Sequence, residues 1–213
     1  MPLIMKFGGG GPTIRYNPVQ LAGFYLSCAR KSAAAALAIG DGADRLEERI
    51  EPGILTVIWA TLALEAGAHQ VAEGLFSPEN VDDFCRCRKS FQIPKGVSRT
   101  VWKWHKLFAA GPKVDIALSD PVLIAAECLV KARNGLSHYR LQDASQKVYF
   151  QPEPPVVWSA YMPPTKVEPS LVEKELLGDK PREHFLAAWT VFYRWELAYG
   201  RDVAEFEKVV PHL

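Results

Sequence analysis

The sequence predicts an all-α fold, an up-and-down helical bundle. Three observations carry this. Apolar residues recur three or four apart through several separate stretches. Those stretches open on Asn17-Pro18, Pro52-Gly53, Asp120-Pro121 and Asp179-x-Pro181, residues suited to helix starts. β-prone residues are confined to one proline-rich segment near 147–162, expected to be a short hairpin or loop insertion.

The 213 residues fit one domain carrying extensions. Residues 1–16 are expected to be a flexible terminus, and 17–213 one helical domain with an insertion at 147–178. Apolar residues make up 48% and charged residues 23%, which supports a packed core and excludes general disorder. A net charge of +1 does not by itself specify a partner. Four cysteines without paired spacing, and no basic leader followed by an apolar core, point to a reducing cytoplasm. The longest apolar runs contain Glu65 or are too short to span a bilayer, so no membrane helix is expected.

Met1 to Phe7 lead into Gly8 to Gly11. A glycine run cradles phosphate when Lys and Ser/Thr follow it. Here Pro12-Thr13-Ile14-Arg15 follows. Asn17 and Pro18 then open a helix with Leu21, Phe24, Tyr25, Cys28, Ser32, Ala35, Ala36 and Ile39 on one face. Gly40-Asp41-Gly42 ends it. Ala43 to Arg49 reads as a short charged surface helix. A new helix is expected from Pro52-Gly53 to about Leu75, with Ile58, Leu62, Glu65, His69, Ala72 and Phe76 on one stripe. Glu65 and His69 on that apolar line have two readings. They pair with each other at a groove edge, or Glu65 turns inward to orient Arg133, since a buried carboxylate needs a partner.

Ser77-Pro78 begins a connection with Glu79, Asp82 and Asp83. The charge then changes sign. Phe84 to Val114 holds eight Lys or Arg and no Asp or Glu. Arg99, Lys103 and Lys106 lie in this block, with Phe91, Trp102, Trp104, His105 and Phe108 interleaved. Basic groups neutralise phosphates and aromatic faces stack on bases, as a single-stranded RNA groove requires. A solvated helix face whose tryptophans are core fits the same composition. Cys85-x-Cys87 lacks a second ligand pair, so neither a metal site nor a cofactor is expected.

Asp120 caps the next helix and Pro121 suits its first turn. Val122, Ala126, Leu129 and Val130 recur at helical spacing and run into Arg133-Asn134-Gly135-Leu136-Ser137-His138. On a straight helix, residues five apart point about 140° from each other. Asn134 and His138 then share a face while Arg133 stands to one side. Convergence of Arg133 and His138 needs a bend near Gly135, a reach by the Arg side chain, or a second subunit. Lys131 and Arg140 extend the positive charge into this end. Arg99 and His105 repeat the Arg–His pairing upstream with a different spacing. An ordinary helix end, with Arg, Asn and His complementing the dipole, is the plain alternative.

Beyond this helix, Val148-Tyr149-Phe150 and Val156-Val157-Trp158 are β-prone, and Pro163, Pro164 and Pro169 predict a loop. Asp179 and Pro181 open a long last helix. Its inner stripe is expected to be Phe185, Trp189, Phe192, Glu196, Tyr199, Val203, Phe206 and Val210, with a bend at Gly200. Glu196 on that stripe needs a partner.

Arg133–Asn134–x–x–x–His138 resembles the Arg-x4-6-His signature of HEPN domains, which often place a polar residue after the Arg. The likeness covers roughly 17–145 and the last helix. It implies a usually dimeric helical bundle. Many HEPN domains are metal-independent ribonucleases of toxin–antitoxin, phage-defence and RNA-processing systems, and others only bind. An acidic residue on the helix before the motif helix is frequent among them, which Glu65 would match. One subgroup, paired with nucleotidyltransferase antitoxins, tends to read Arg-x4-His-x-Tyr. Here Tyr139 follows His138 directly.

Metal-independent RNA cleavage needs a base for the ribose 2′-hydroxyl, a cation for the charge building on phosphorus, and an acid for the leaving 5′-oxygen. His138 suits the first or last role, since imidazole titrates near neutrality. Arg133 suits the second, because its planar fork matches phosphate. Asn134 can hold ribose or phosphate, and Ser137 and Tyr139 are further donors. One His per chain leaves one proton-transfer role for a homodimer to fill. RNA is then the expected substrate, bound through Lys103, Lys106, Arg99, Lys131 and Arg140, with an antitoxin protein as a further partner. A non-catalytic RNA- or protein-binding module is the competing expectation.

Overall fold

The computed structural model describes residues 5–6, 13–14, 18–40, 45–86, 92–138, 147–149, 166–201 and 203–204. Among these the fold is an all-α bundle of seven helices, accompanied by two short strand pairs. β1 (Met5–Lys6) and β2 (Thr13–Ile14) pair antiparallel, and the rest of residues 1–16 lies outside the described residues. α1 (Pro18–Ile39) follows and ends at Gly40, whose φ is +83°.

α2 (Leu46–Leu75) is one helix of 30 residues, not a short charged helix followed by a second. Pro52 lies inside it, past the first turn, and removes one donor from the helix ladder. Arg49 fastens these first turns. Its buried guanidinium donates to the Gly40 carbonyl at 2.8 Å and to that of Gly178. By length and composition alone α2 is apolar enough to cross a bilayer, where no such stretch was expected, a test that buried core helices also pass. In this fold it is the central helix, packed against α1 and five later helices.

The buried face of α2 is Val57, Ala60, Thr61, Leu64, Ala68 and Ala72, rotated from the predicted stripe. Ile58 is partly exposed instead. The same inversion marks α1. Ala22, Ala29, Ala33 and Ala36 are buried, while Leu21 and Phe24 are 44% and 58% exposed. Small residues line the seam because they let two axes approach closely. Tyr25 stacks on Trp59 at 5.5 Å beside that seam.

α3 (Pro78–Arg86) is a helix where a connection was expected, with Val81 and Phe84 buried. α4 (Arg99–Ala110) is capped by the Ser98 hydroxyl, which accepts from the Val101 N–H at 3.3 Å. α5 (Pro121–Ser137) is capped by Asp120, which accepts from Val122 at 2.9 Å, with Pro121 in its first turn as predicted. β3 (Lys147–Tyr149) pairs antiparallel with β4 (Lys166–Glu168), while Val156–Trp158 lies outside the described residues. The expected loop around Pro169 instead holds β4 and α6 (Leu171–Leu176). A capping box between Ser170 and Glu173 starts α6.

α7 (Lys180–Ala198) stops earlier than its predicted stripe. Gly200, at φ +67°, takes the left-handed conformation that terminates a helix, so it ends α7 rather than bending it. Phe206 and Val210 lie outside the described residues. Glu196 finds its partner in Arg201 at 2.9 Å. The core gathers Trp104, Phe108, Phe185 and Trp195 against α2. Trp104 also donates its indole N–H to the Leu64 carbonyl at 3.1 Å.

Gly67 sets the spacing of this core. A methyl group there would collide with the Phe192 ring and stand 3.2 Å from Trp104. Gly67→Ala is therefore expected to destabilise the fold by about 1–3 kcal/mol, as core overpacking does. Gly74→Ala meets nothing within 4 Å. It should be neutral or gain about 0.5 kcal/mol through the helix preference of alanine. Urea unfolding of both variants checks the contrast, and equal stabilities would refute it.

Candidate active site at the end of the motif helix

α5 carries Arg133, Asn134 and Ser137 in its last turns, and His138 is its C-cap. The helix is continuous through Gly135. The glycine there has a packing role. A β-carbon at that position would lie 3.2 Å from Leu171, so the glycine lets α6 pack against the motif end. Asn134 and His138 are both exposed and one turn apart on the same face, and the His138 N–H donates to the Asn134 carbonyl at 3.1 Å. Ser137 is exposed beside them. Tyr139 and Arg140 lie outside the described residues.

Arg133 is turned away from that face. Its guanidinium donates to Glu65 Oε1 at 2.7 Å. Of the two readings of Glu65, the structure has the one that orients Arg133. The pair is not buried, however, with side chains 34% and 40% exposed. His69 pairs instead with Glu73, at 3.9 Å. Within one chain, Arg133 and His138 are thus not brought onto a common face.

The basic block divides. Arg99, Lys103 and Lys106 recur at i, i+4 and i+7 on the outer line of α4. Lys103 donates to the Cys85 carbonyl at 2.7 Å, which turns it toward α3. Lys106 lies 5.9 Å from the Trp102 ring centre. Trp102, Trp104 and Phe108 are buried and belong to the core, so these rings offer no stacking platform. Lys131 is on α5, 3.8 Å from Glu127. Of the comparison pair Arg99 and His105, the histidine has a structural partner. His105 Nδ1 lies 2.9 Å from the Ile116 carbonyl, which can only accept, so that nitrogen carries the proton.

Sequence reasoning missed two features. His184 is buried on α7, with Nε2 3.0 Å from the Glu175 carbonyl and 3.3 Å from its carboxylate. This ties α6 to α7 and so secures the element that packs on Gly135. Nothing in the spacing of the two residues signals it. The second is a cleft between α5 and the loop before α4, described below. Among the described residues no group of three or more His, Cys, Asp or Glu is clustered to hold a metal.

Comparison with protein-family models, with curated proteins and with solved structures finds no match to this chain. The functional reading therefore rests on the residues themselves.

Two outcomes follow from these pairs. A double-mutant cycle on Glu65→Gln and Arg133→Gln should give a coupling of about 0.2–1 kcal/mol, the range of exposed ion pairs, shrinking as salt is raised. A coupling of zero at low salt would mean that Glu65 does not hold Arg133 in solution. The hydrogen bond from His184, ahead of the nearby positive charges, holds the Glu175 carboxyl below its usual value of 4.5, against the opposing effect of burial. A depressed carboxyl contributes stability above its unfolded pKa and loses it as pH falls through the folded one. Melting temperatures should thus fall less steeply on acidification below pH 4.5 in Glu175→Gln than in the wild type.

Proposed function

We propose that the protein is a metal-independent endoribonuclease of the HEPN type, acting in the cytoplasm in defence, toxin–antitoxin regulation or stress. The observation that carries the reading is the exposed Asn134–His138 face at the end of a core helix, with Arg133 on the same turn held by Glu65 at 2.7 Å. In the reaction the ribose 2′-oxygen attacks phosphorus and the bond to the 5′-oxygen breaks. His138 takes the 2′-hydroxyl proton or supplies a proton to the leaving oxygen. Arg133 stabilises the charge on the phosphoryl oxygens, and Asn134 positions ribose or phosphate. Lys103, Lys106, Arg99 and Lys131 attract the RNA backbone.

A homodimer would supply the second proton-transfer group. Two features support it. Arg133 and His138 diverge within one chain, and Leu21, Phe24 and Ile58 leave large apolar side chains exposed on α1 and α2. Ile58 falls on the same line of α2 as Glu65, seven residues earlier. A second reading is a non-catalytic module that binds RNA or a protein such as an antitoxin. It is favoured by the burial of the tryptophans, which removes base stacking from the basic face.

Purified protein with mixed RNA in EDTA separates these readings. Cleavage should persist and leave 2′,3′-cyclic phosphate ends. His138→Ala should lower the rate by roughly 10²–10⁴-fold while costing at most about 1 kcal/mol of stability. Arg133→Ala should abolish cleavage, and His105→Ala should retain it. Light scattering should find a dimer at micromolar concentration. Wild-type speed in His138→Ala would refute the catalytic assignment. Binding without cleavage by the wild type would establish the module reading.

A further inference from the structure

A cleft of about 240 Å³ opens between α5 and the loop that leads into α4. Five residues of α5 line it: Leu123, and Ile124, Glu127, Cys128 and Lys131 at i, i+3, i+4 and i+7. Val97 and Val101 face them, with Leu118 and Leu123 completing the apolar wall. Leu123 and Val101 are buried, so they form the deep part, whereas Ile124 is 48% exposed and stands at the mouth. The deep wall is entirely aliphatic.

The polar side chains are Glu127, only 16% exposed in the wall, and Cys128 and Lys131, exposed at the lip. Glu127 is already engaged. One carboxylate oxygen accepts the Ser98 N–H at 2.9 Å, and the other lies 3.8 Å from Lys131. That engagement closes the loop onto α5 and shapes the cleft. Lys131 is only loosely held, its side chain 65% exposed, so its ammonium retains donors that now face water. Lys95 and Arg99, both exposed, flank the lining residues Gly96 and Val97 in sequence and add positive charge to the same loop.

We infer that this cleft binds a small anionic amphiphile, an aliphatic carboxylate whose chain lies against the valine and leucine wall and whose carboxylate meets Lys131. Three properties select this class. The aliphatic depth rewards burial of methylene groups, at about 0.8 kcal/mol each. It would leave the hydrogen-bonding edges of a nucleobase without partners, a penalty that disfavours a nucleotide. The volume lies below the usual range of about 300–1,000 Å³ for ligand pockets, so the body must be short. The lip supplies a cation for the head group, while the carboxylate of the wall, Glu127, is taken up by the Ser98 N–H and lies near Lys131. The inference does not depend on ribonuclease activity.

Cys128 makes the test direct, because its thiol is exposed at the lip. The full-length protein is alkylated with N-ethylmaleimide, and the rate at the Cys128 peptide is followed by mass spectrometry. Decanoate below its micellar concentration should slow that rate saturably, leaving the Cys28 peptide unaffected. Decylamine, with the same chain and opposite charge, should not. Lys131→Glu should raise the half-protecting decanoate concentration about tenfold or more, as loss of a charge-assisted contact does, and Lys131→Arg should restore it. Ile124→Trp fills the mouth and should abolish protection; its position at the surface keeps the fold intact, which circular dichroism verifies. Protection by decylamine equal to that by decanoate would overturn the proposal. So would no protection by decanoate, or stronger protection by adenosine monophosphate, which would make the cleft a nucleotide site.

Discussion

The closeness with which α2 can be approached governs this bundle. At Gly67 there is no room for even a methyl group between α2, Phe192 of α7 and Trp104 of α4. Ala60, Ala63, Ala68 and Ala72 extend the same shallow surface along the helix. Helix axes approach according to the side chains between them, so a seam of alanine and glycine brings in backbone as well as side chain. Trp104 reaches far enough to donate to the Leu64 carbonyl of α2. Once Leu64 is fixed inward, Glu65 is fixed about 100° around the helix. That rotation delivers its carboxylate to Arg133 on α5.

The helix starts were legible because they rest on local chemistry. Asp120-Pro121 acts as cap and first turn whatever lies around it. The buried faces were less legible, because hydrophobic patterning weights large side chains. In α1 and α2 the weight runs the other way. Alanines are inside, and Leu21, Phe24 and Ile58 are outside. Periodicity located the helices but rotated their faces. Pro52 misled for a related reason. It reads as a helix start, yet Arg49, reaching the carbonyls of Gly40 and Gly178, binds the turn before it into the same helix. A contact between positions so distant along the chain leaves no local trace.

The site divides along the same lines. The pairing of Glu65 with Arg133 was one of two readings the sequence allowed, and the burial it was argued from is not found. The convergence of basic and aromatic residues in the Phe84–Val114 block could not be settled by composition. A tryptophan serves equally as core or as a platform for bases, and only the rotation of α4 decides. Trp104 and Phe108 are inward, while Arg99, Lys103 and Lys106 take the outer line. The cleft beside α5 was invisible for a stronger reason. It belongs to three separate segments and exists only where the loop at Ser98 is drawn to Glu127.

The Glu65–Arg133 pair constrains any phosphate chemistry at this helix end. A buried pair would sequester the guanidinium, because separating two desolvated charges costs several kcal/mol. This pair is about a third exposed on each side, and such pairs contribute at most about 1 kcal/mol. Arg133 therefore retains donors that do not face Glu65, since a guanidinium has five and the pair engages one nitrogen. Those donors can meet a phosphate without dislodging the carboxylate, but not one seated on the Asn134–His138 face of the same chain. The remaining negative charge of Glu65 nevertheless weakens the field that Arg133 presents. Under the ribonuclease reading, Glu65 trades some phosphate affinity for a fixed guanidinium, and fixed donors matter most where charge develops only in the transition state. Under the binding reading the same carboxylate would simply lower affinity.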